Sequence, residues 1–265
     1  MLLTRLLTAA VGIPIVFACI YCGGIIFYSM MFVISILCVY EYLAISKKYN
    51  PHAFMSLLMA SIFFVFLYFF KNFPVNKIVI SAVIMIFILF SIEIFGKNPN
   101  LCIVRISSSF LGAFFIPLSL IHMTYIRDLN CGMELMFFVF VVVWILDTAA
   151  YVFGSIFGRH KLAKTISPKK TVEGAMAGII FGLLAAVIFR YVFMRNILTT
   201  WHSIILGFVI AVIGQFSDLA ESIVKRDGSL KDSGKIIPGH GGVFDRFDSY
   251  MFVTPIVYYI FKFLK

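Results

Sequence analysis

The sequence predicts an all-α fold, a polytopic integral membrane bundle of about nine transmembrane helices. Two observations carry this prediction. The 265 residues are 62% hydrophobic and only 13% charged, which leaves too few polar side chains to cover a water-soluble domain of this length. In addition, apolar runs of about 17–25 residues recur along the chain, and helices of that length cross the hydrocarbon core of a bilayer.

Each predicted span is an apolar run between polar breaks. In chain order the spans are 6–22, 25–45, 54–70, 78–95, 110–126, 135–153, 173–194, 203–222 and 248–263. The connections are short except for 154–172 and 223–247. We therefore expect one membrane domain, in which residues 1–130 form a helical scaffold and residues 131–265 carry the functional site.

Basic residues are distributed unevenly between the two faces that these spans define. Of the 22 lysines and arginines, 15 fall on the side of the N-terminus. Because cytoplasmic loops carry an excess of Lys and Arg, both long connections are predicted to be cytoplasmic. We therefore expect an integral protein of the inner, cytoplasmic membrane, with its site on the cytoplasmic face. We expect no nucleic acid among its partners.

Acidic residues lie near that same face although they are far apart in sequence. Asp147 is predicted to lie about 9 Å inside the end of its span, where an unpaired acid costs roughly 2.5–3.5 kcal/mol or more. An acid at this depth usually has a partner of opposite charge or a role in function. The other acids of this group, each beside the cytoplasmic end of a span, are Glu173, Asp218, Glu221, Asp245 and Asp248.

The end of the eighth span has a four-residue pattern of polar groups. Asp218, Glu221, Ser222 and Lys225 are spaced at i, i+3, i+4 and i+7, so they share one face if the helix continues to Lys225. One interpretation is a ligand site with two carboxylates, a hydroxyl and a cation. The alternative is a solvated helix end with an ordinary Glu–Lys pair.

The connection that follows favours the ligand site. Residues 238–242 read Pro-Gly-His-Gly-Gly, a stretch in which backbone N–H groups can approach an anion. Asp245 and Asp248, three residues apart, can share a hard cation. The basic residues of this region can meet phosphate oxygens. This combination indicates a metal ion together with phosphate.

A second cluster, residues 167–173, reads Ser-Pro-Lys-Lys-Thr-Val-Glu and resembles a helix entrance. Lys169 and Lys170 would lie beside the positive helix end, where an anion is favoured. The alternative is a basic anchor for anionic lipid headgroups. Glycines at 174, 178 and 182 predict close helix packing, either within one chain or in a homodimer.

The segment 222–248 resembles the signature of phosphatidate cytidylyltransferase, also called CDP-diacylglycerol synthase. The resemblance is carried by S-x-x-K-R-x(4)-K-D-x-G-x(2)-I-P-G-H-G-G-V-x-D-R-F-D, and upstream by 147–151, 167–174 and 214–222. It is specific over about 147–250. Ser217, where glycine is expected, and Val172, where an aromatic is expected, depart from it.

The resemblance implies that CTP and phosphatidate give CDP-diacylglycerol and pyrophosphate, with Mg²⁺ required and a second cation compatible with the site. Catalytic roles are expected for Asp147, Lys169, Asp218, Ser222, Lys225, Arg226, His240, Asp245 and Asp248. Substrate binding is expected for Ser167, Lys170, Thr171, Glu173, Glu221, Lys231, Asp232, Gly241, Gly242 and Arg246. The expected metal ligands are Asp218, Asp245, Asp248 and Asp147.

Three other functions remain open at this point. A CTP-dependent transferase for another lipid phosphate, such as an isoprenoid phosphate, would need the same polar residues. A transporter would place its charges near the bilayer midplane. A scaffold that binds anionic lipid would explain the net charge of +10 but not the paired carboxylates.

Overall fold

The computed structural model describes residues 2–70, 75–96, 99–239 and 241–264, and most of these residues are helical. The all-α membrane bundle is confirmed. Within the described residues, six helices are long and apolar enough to cross a membrane. They are 24–49, 76–94, 102–127, 132–157, 172–193 and 200–227. The predicted total of nine spans stays a prediction.

The chain divides into two compact units, residues 1–124 with 227–247, and residues 125–226 with 248–265. We call them unit 1 and unit 2. The predicted division into a scaffold, 1–130, and a part that carries the functional site, 131–265, stays a prediction. The segment 227–247 belongs to unit 1, although the helices before and after it lie mainly in unit 2.

Unit 1 contains the first helices of the chain. Gly23, at a φ of 63°, separates the first two helices, since this backbone region favours glycine. The 3-10 turn Ser46–Tyr49 continues the second helix, and the π-helical turn Leu111–Phe115 joins the fifth to the sixth. The helices are α1 Leu2–Cys22, α2 Gly24–Ile45, α3 Ala53–Phe69, α4 Val75–Ile94, α5 Cys102–Phe110 and α6 Ile116–Arg127.

Unit 2 contains the rest of the chain from residue 125 except 227–247. The elements are α7 Gly132–Phe157, β1 Lys161–Ala163, β2 Ser167–Thr171, α8 Val172–Phe193, α9 Thr200–Asp227 and α10 Phe244–Leu264. The first turn of α10 belongs to unit 1. The strands β1 and β2 pair antiparallel, with Lys161 opposite Thr171 and Ala163 opposite Ser167.

The close contact of α7 with α8 explains the glycines of α8. A Cβ on Gly174 would lie 2.5 Å from the carbonyl oxygen of Ala150 and 2.9 Å from the Cα of Gly154. A Cβ on Gly178 would lie 2.9 Å from Leu146. The predicted close packing face is therefore occupied within the chain, and the glycines supply no separate argument for a homodimer.

The hairpin β1–β2 was not predicted from the sequence. The pattern around Pro168 and Thr171 indicated a helix entrance, and this is confirmed at Thr171, whose hydroxyl accepts a hydrogen bond from the backbone N–H of Gly174 at 3.2 Å. Residues before Thr171 are extended rather than irregular. A short strand that contains proline has too weak a pattern to be recognised from sequence alone.

Candidate functional site

Three carboxylates from α9 and α10 meet in unit 2. One oxygen from each of Asp218, Glu221 and Asp248 lies within 4.8 Å of the other two. Carboxylate oxygens at this separation are the donors that hard divalent cations prefer. Two of the predicted metal ligands, Asp218 and Asp248, are thus brought together, and Glu221, predicted to bind substrate, joins them. We call these residues the carboxylate trio.

The predicted polar face of α9 is confirmed, because this helix continues to Asp227. Glu221 and Lys225 form an ion pair at 2.6 Å, with side chains only 3% and 13% exposed. Ser222 is buried on the same face. The Glu–Lys pair of the alternative interpretation is present, but it is buried rather than solvated.

Ser217 attaches α10 to α9 beside the trio. Its hydroxyl donates a hydrogen bond to the backbone oxygen of Asp248, and its side chain is 1% exposed. This serine stands where the family resemblance suggests glycine. Its hydroxyl therefore has a structural task, since it holds the backbone that carries one member of the trio.

An open cavity of about 610 Å³ lies beside Asp218 in unit 2. It is bordered by α7, the hairpin, α8 and α9, and its lining combines two acids with three lysines. The lining residues are Asp147, Ala150, Tyr151, Gly154, Ser155, Gly158, Lys161, Leu162, Lys169, Lys170, Thr171, Ala175, Gln215 and Asp218. Lys170 forms an ion pair with Asp218. Acidic and basic groups that face one cavity can bind a cation and an anionic phosphate together.

Lys161 was not predicted as a site residue. No motif in the sequence distinguishes it from the neighbouring basic residues. In the structure β1 places it in the cavity wall with Lys169 and Lys170. Only the pairing of β1 with β2 brings these lysines to one cavity, and that pairing has no clear signal in the sequence.

Asp147 is exposed on α7 and lines the cavity. The helix runs to Phe157, so Asp147 lies about 15 Å of helix from that end rather than about 9 Å. Among the residues that the structure describes, the acids close enough to one another to hold a single metal ion are those of the carboxylate trio, without Asp147. Its metal role stays a prediction, and its place in the cavity wall is compatible with the alternative of orienting a basic residue.

Several residues of the second cluster make structural contacts. Glu173 accepts hydrogen bonds from the backbone N–H of Arg159 at 3.0 Å and from the His160 ring at 2.6 Å. Ser167 lies in β2 opposite Ala163. These contacts hold the entrance of the hairpin. The predicted substrate contacts of Ser167 and Glu173 therefore stay predictions.

Arg226 connects α9 to the turn of the hairpin. Its Nε donates to the backbone oxygen of Ile166 at 3.0 Å. One guanidinium contact thus positions the hairpin, and the phosphate contact expected for Arg226 stays a prediction.

The connection between α9 and α10, residues 228–243, lies in unit 1, and we call it the signature loop. Asp245 accepts hydrogen bonds from the backbone N–H groups of Ser233 at 3.0 Å and Gly242 at 2.9 Å. Gly241 has a φ of 85°, which favours glycine. These two backbone N–H groups of the loop bind the carboxylate of Asp245, and the predicted approach of the loop backbone to a phosphate stays a prediction.

Two loop residues and one residue of α10 that were predicted for the site lie at the surface of unit 1. Lys231, Asp232 and Arg246 are exposed. His240 lies outside the described residues. The metal role of Asp245 and the substrate contacts of these residues stay predictions.

Glu41 was not among the site residues predicted from the sequence. It lies in α2 and is 2% exposed. Its carboxylate accepts a hydrogen bond from the hydroxyl of Ser233 at 2.8 Å and bonds from the backbone of residues 243 and 244. A signal existed, because Glu41 is the only acid in the apolar run Gly24–Ile45, and an acid inside a predicted span usually has a partner.

Comparison with known proteins identifies the family. A family model described as "Cytidylyltransferase family" matches residues 3–264 of the chain. Proteins named phosphatidate cytidylyltransferase are similar over 182 residues: 38% identical in Staphylococcus haemolyticus, 39% in Staphylococcus saprophyticus and 36% in Staphylococcus aureus. Each match covers 67% of this chain and 66% of the relative, just under two thirds of the relative's length. Since the family match extends over nearly the whole chain, the protein belongs to the cytidylyltransferase family.

Proposed function

We propose that this protein is a phosphatidate cytidylyltransferase, which transfers CMP from CTP to phosphatidate and releases pyrophosphate for phospholipid synthesis. The main support is the carboxylate trio beside a cavity lined by three lysines. The names of the staphylococcal relatives support the choice of substrates. Both substrates are anions, and the cavity offers the cationic side chains that two phosphate-bearing molecules require.

We further propose that Mg²⁺ is bound by Asp218, Glu221 and Asp248. The donor set fits this ion, because three carboxylates within 4.8 Å of one another supply hard oxygen ligands. When bound, Mg²⁺ neutralises charge on the phosphate oxygens that react. A second cation beside Asp147 remains part of the proposal.

For this reaction the protein must align the two substrates and neutralise the charge of their phosphates, and it does not need a strong base. A phosphate oxygen of phosphatidate is already anionic; it forms a bond to the α-phosphorus of CTP while the bond from that phosphorus to the bridging oxygen of pyrophosphate breaks. Lys161, Lys169 and Lys170 lie where they can bind the triphosphate. The Lys170–Asp218 ion pair then opens to release both groups for ligands.

We place the site on the cytoplasmic face of the membrane. The excess of basic residues on that side of the predicted topology supports this orientation. CTP then enters from the cytoplasm, and phosphatidate reacts without leaving its leaflet.

The function is tested with purified protein, radiolabelled CTP and Mg²⁺, with phosphatidate or a polyprenyl phosphate as acceptor. We expect labelled CDP-diacylglycerol and pyrophosphate with phosphatidate alone. Product with polyprenyl phosphate alone would assign the chain to the isoprenoid alternative, and no product with either lipid would contradict the proposal.

A matched pair of variants connects the activity to the site. Asp218→Asn removes one carboxylate of the trio and should lower turnover on the order of 10³-fold. Asp128→Asn makes the same chemical change at an exposed position between α6 and α7 and should leave turnover unchanged. Equal activity of the two variants would remove Asp218 from the proposed site.

A further inference from the structure

Glu41, a buried residue near the C-terminal end of α2, binds the signature loop by its carboxylate. We infer that Glu41 is a positioning residue, which holds residues 233–244 and the start of α10 in the conformation that the transfer reaction needs. The kinetic part of this inference rests on the proposed function; the structural part does not.

Both oxygens of the Glu41 carboxylate accept hydrogen bonds from this one segment. Oε1 accepts from the backbone N–H of Val243 at 3.1 Å. Oε2 accepts from the backbone N–H of Phe244 at 2.8 Å and from the hydroxyl of Ser233 at 2.8 Å. A buried carboxylate with three such bonds is expensive to replace, since each donor would lose its partner away from water.

Two glycines let the loop backbone contact this carboxylate directly. A Cβ added to Gly234 or to Gly242 would overlap with the carboxyl group of Glu41. At Gly242 it would also overlap with the hydroxyl of Ser233. The sequence of the loop is therefore adapted to a side chain from α2, about 200 residues earlier in the chain.

The position of these bonds gives Glu41 control over the start of α10. The first N–H groups of a helix have no partner within the helix, and a nearby residue of the same segment usually binds them. Here Phe244 is the first residue of α10, and its N–H is bound by Glu41. Asp245 binds the N–H of Ser233 and of Gly242, so Ser233 is held by both acids.

The same end of α2 also holds the beginning of the loop. Lys48 and Tyr49 bind the carboxylate of Asp227 at 3.0 Å and 2.9 Å. A Cβ on Gly228 would lie 2.5 Å from Ile45. Residues 41–49 thus contact both ends of the signature loop and fix their positions. Loss of Glu41 should free one end while the contacts of Lys48 and Tyr49 retain the other.

The chemistry of the contact makes Glu41→Gln the informative variant. Glutamine has the same shape but only one acceptor oxygen, so its amide N–H₂ group would face the backbone N–H of Val243 or of Phe244, neither of which can accept a hydrogen bond. If Glu41 only filled space, glutamine would be tolerated. Ser35→Ala is the matched control, since Ser35 is fully buried in the same helix and its hydroxyl has no hydrogen-bond partner among the residues that the structure describes.

The structural test is amide hydrogen exchange, measured by mass spectrometry on the full-length protein without substrates. In Glu41→Gln, peptides that cover residues 233–247 should exchange about tenfold faster or more, whereas peptides from α7 should be unchanged. Ser35→Ala should match the wild type throughout. Unchanged exchange in the loop of Glu41→Gln would overturn the inference, whatever the enzyme's activity.

The kinetic test compares kcat and KM for CTP in the same variants. Misplacement of the loop should lower kcat on the order of 10²-fold, with a smaller change in KM. Ser233→Ala removes one of the three donors, so it should cause a smaller rise in loop exchange and a smaller fall in kcat. It replaces Glu41→Gln in both measurements if Glu41→Gln fails to fold. Faster exchange with unchanged kcat would overturn the positioning role. A wild type without transferase activity would instead contradict the proposed function.

Discussion

At the scale of single residues, Glu221 combines two tasks. It belongs to the carboxylate trio and it forms a buried ion pair with Lys225. Removal of one partner from a buried pair leaves the other charge uncompensated, which costs about 3–5 kcal/mol. The effect of a substitution on metal binding must therefore be separated from its effect on the pair.

Glu221→Gln should raise the Mg²⁺ concentration for half-maximal activity by about tenfold, because one ionised ligand is lost. The measurement is a Mg²⁺ titration of CDP-lipid formation. Lys225→Gln breaks the same ion pair and keeps the carboxylate, so it should leave the Mg²⁺ midpoint closer to that of the wild type. Equal shifts in both variants would show that the pair, and not a metal contact, determines the Mg²⁺ requirement.

At the scale of elements, the hairpin β1–β2 gives the cavity its positive wall. Its strands bring Lys161 beside Lys169 and Lys170, and Arg226 ties its turn to α9. A two-stranded hairpin is marginally stable by itself. The contact from Arg226 and the cap of α8 at Thr171 therefore give these lysines a defined position.

Lys161→Gln should raise the KM for CTP by about tenfold, since it removes a cation from the cavity wall. Lys164→Gln is the matched control. Lys164 lies in the turn of the same hairpin and does not line the cavity. Initial rates at varied CTP concentration distinguish the two, and the same KM for Lys161→Gln as for the wild type would remove Lys161 from the nucleotide site.

At the scale of the whole molecule, the proposed orientation in the membrane rests on the distribution of charge. The two long connections of the predicted topology, 154–172 and 223–247, carry ten of the 15 basic residues on the side predicted to be cytoplasmic. The connection between α6 and α7, which contains Asp128, is predicted to face the opposite side.

The orientation is tested in a cysteine-free background, since the chain has five cysteines. Lys164→Cys should react with a membrane-impermeant maleimide only after the cells are opened, whereas Asp128→Cys should react in intact cells. Both positions are exposed, so burial does not hide either thiol. The reverse pattern would place the cavity on the outer face of the membrane.

The polar face of α9 shows what the sequence by itself determined. Residues at i, i+3, i+4 and i+7 of one helix must share a face, so spacing alone brought Asp218, Glu221, Ser222 and Lys225 together. The membrane class likewise followed from composition, because long apolar runs are stable in a bilayer as helices.

The tertiary structure decided which distant groups meet. It placed Asp248 beside Asp218 and Glu221, placed Lys161 in the cavity wall, and directed Glu41 of α2 to the signature loop. It also assigned the N–H groups of that loop to Glu41 and Asp245. The physical reason is that contacts within one helix follow from its fixed geometry, whereas contacts between segments depend on how close their backbones approach, which here is set by glycines and buried hydrogen bonds.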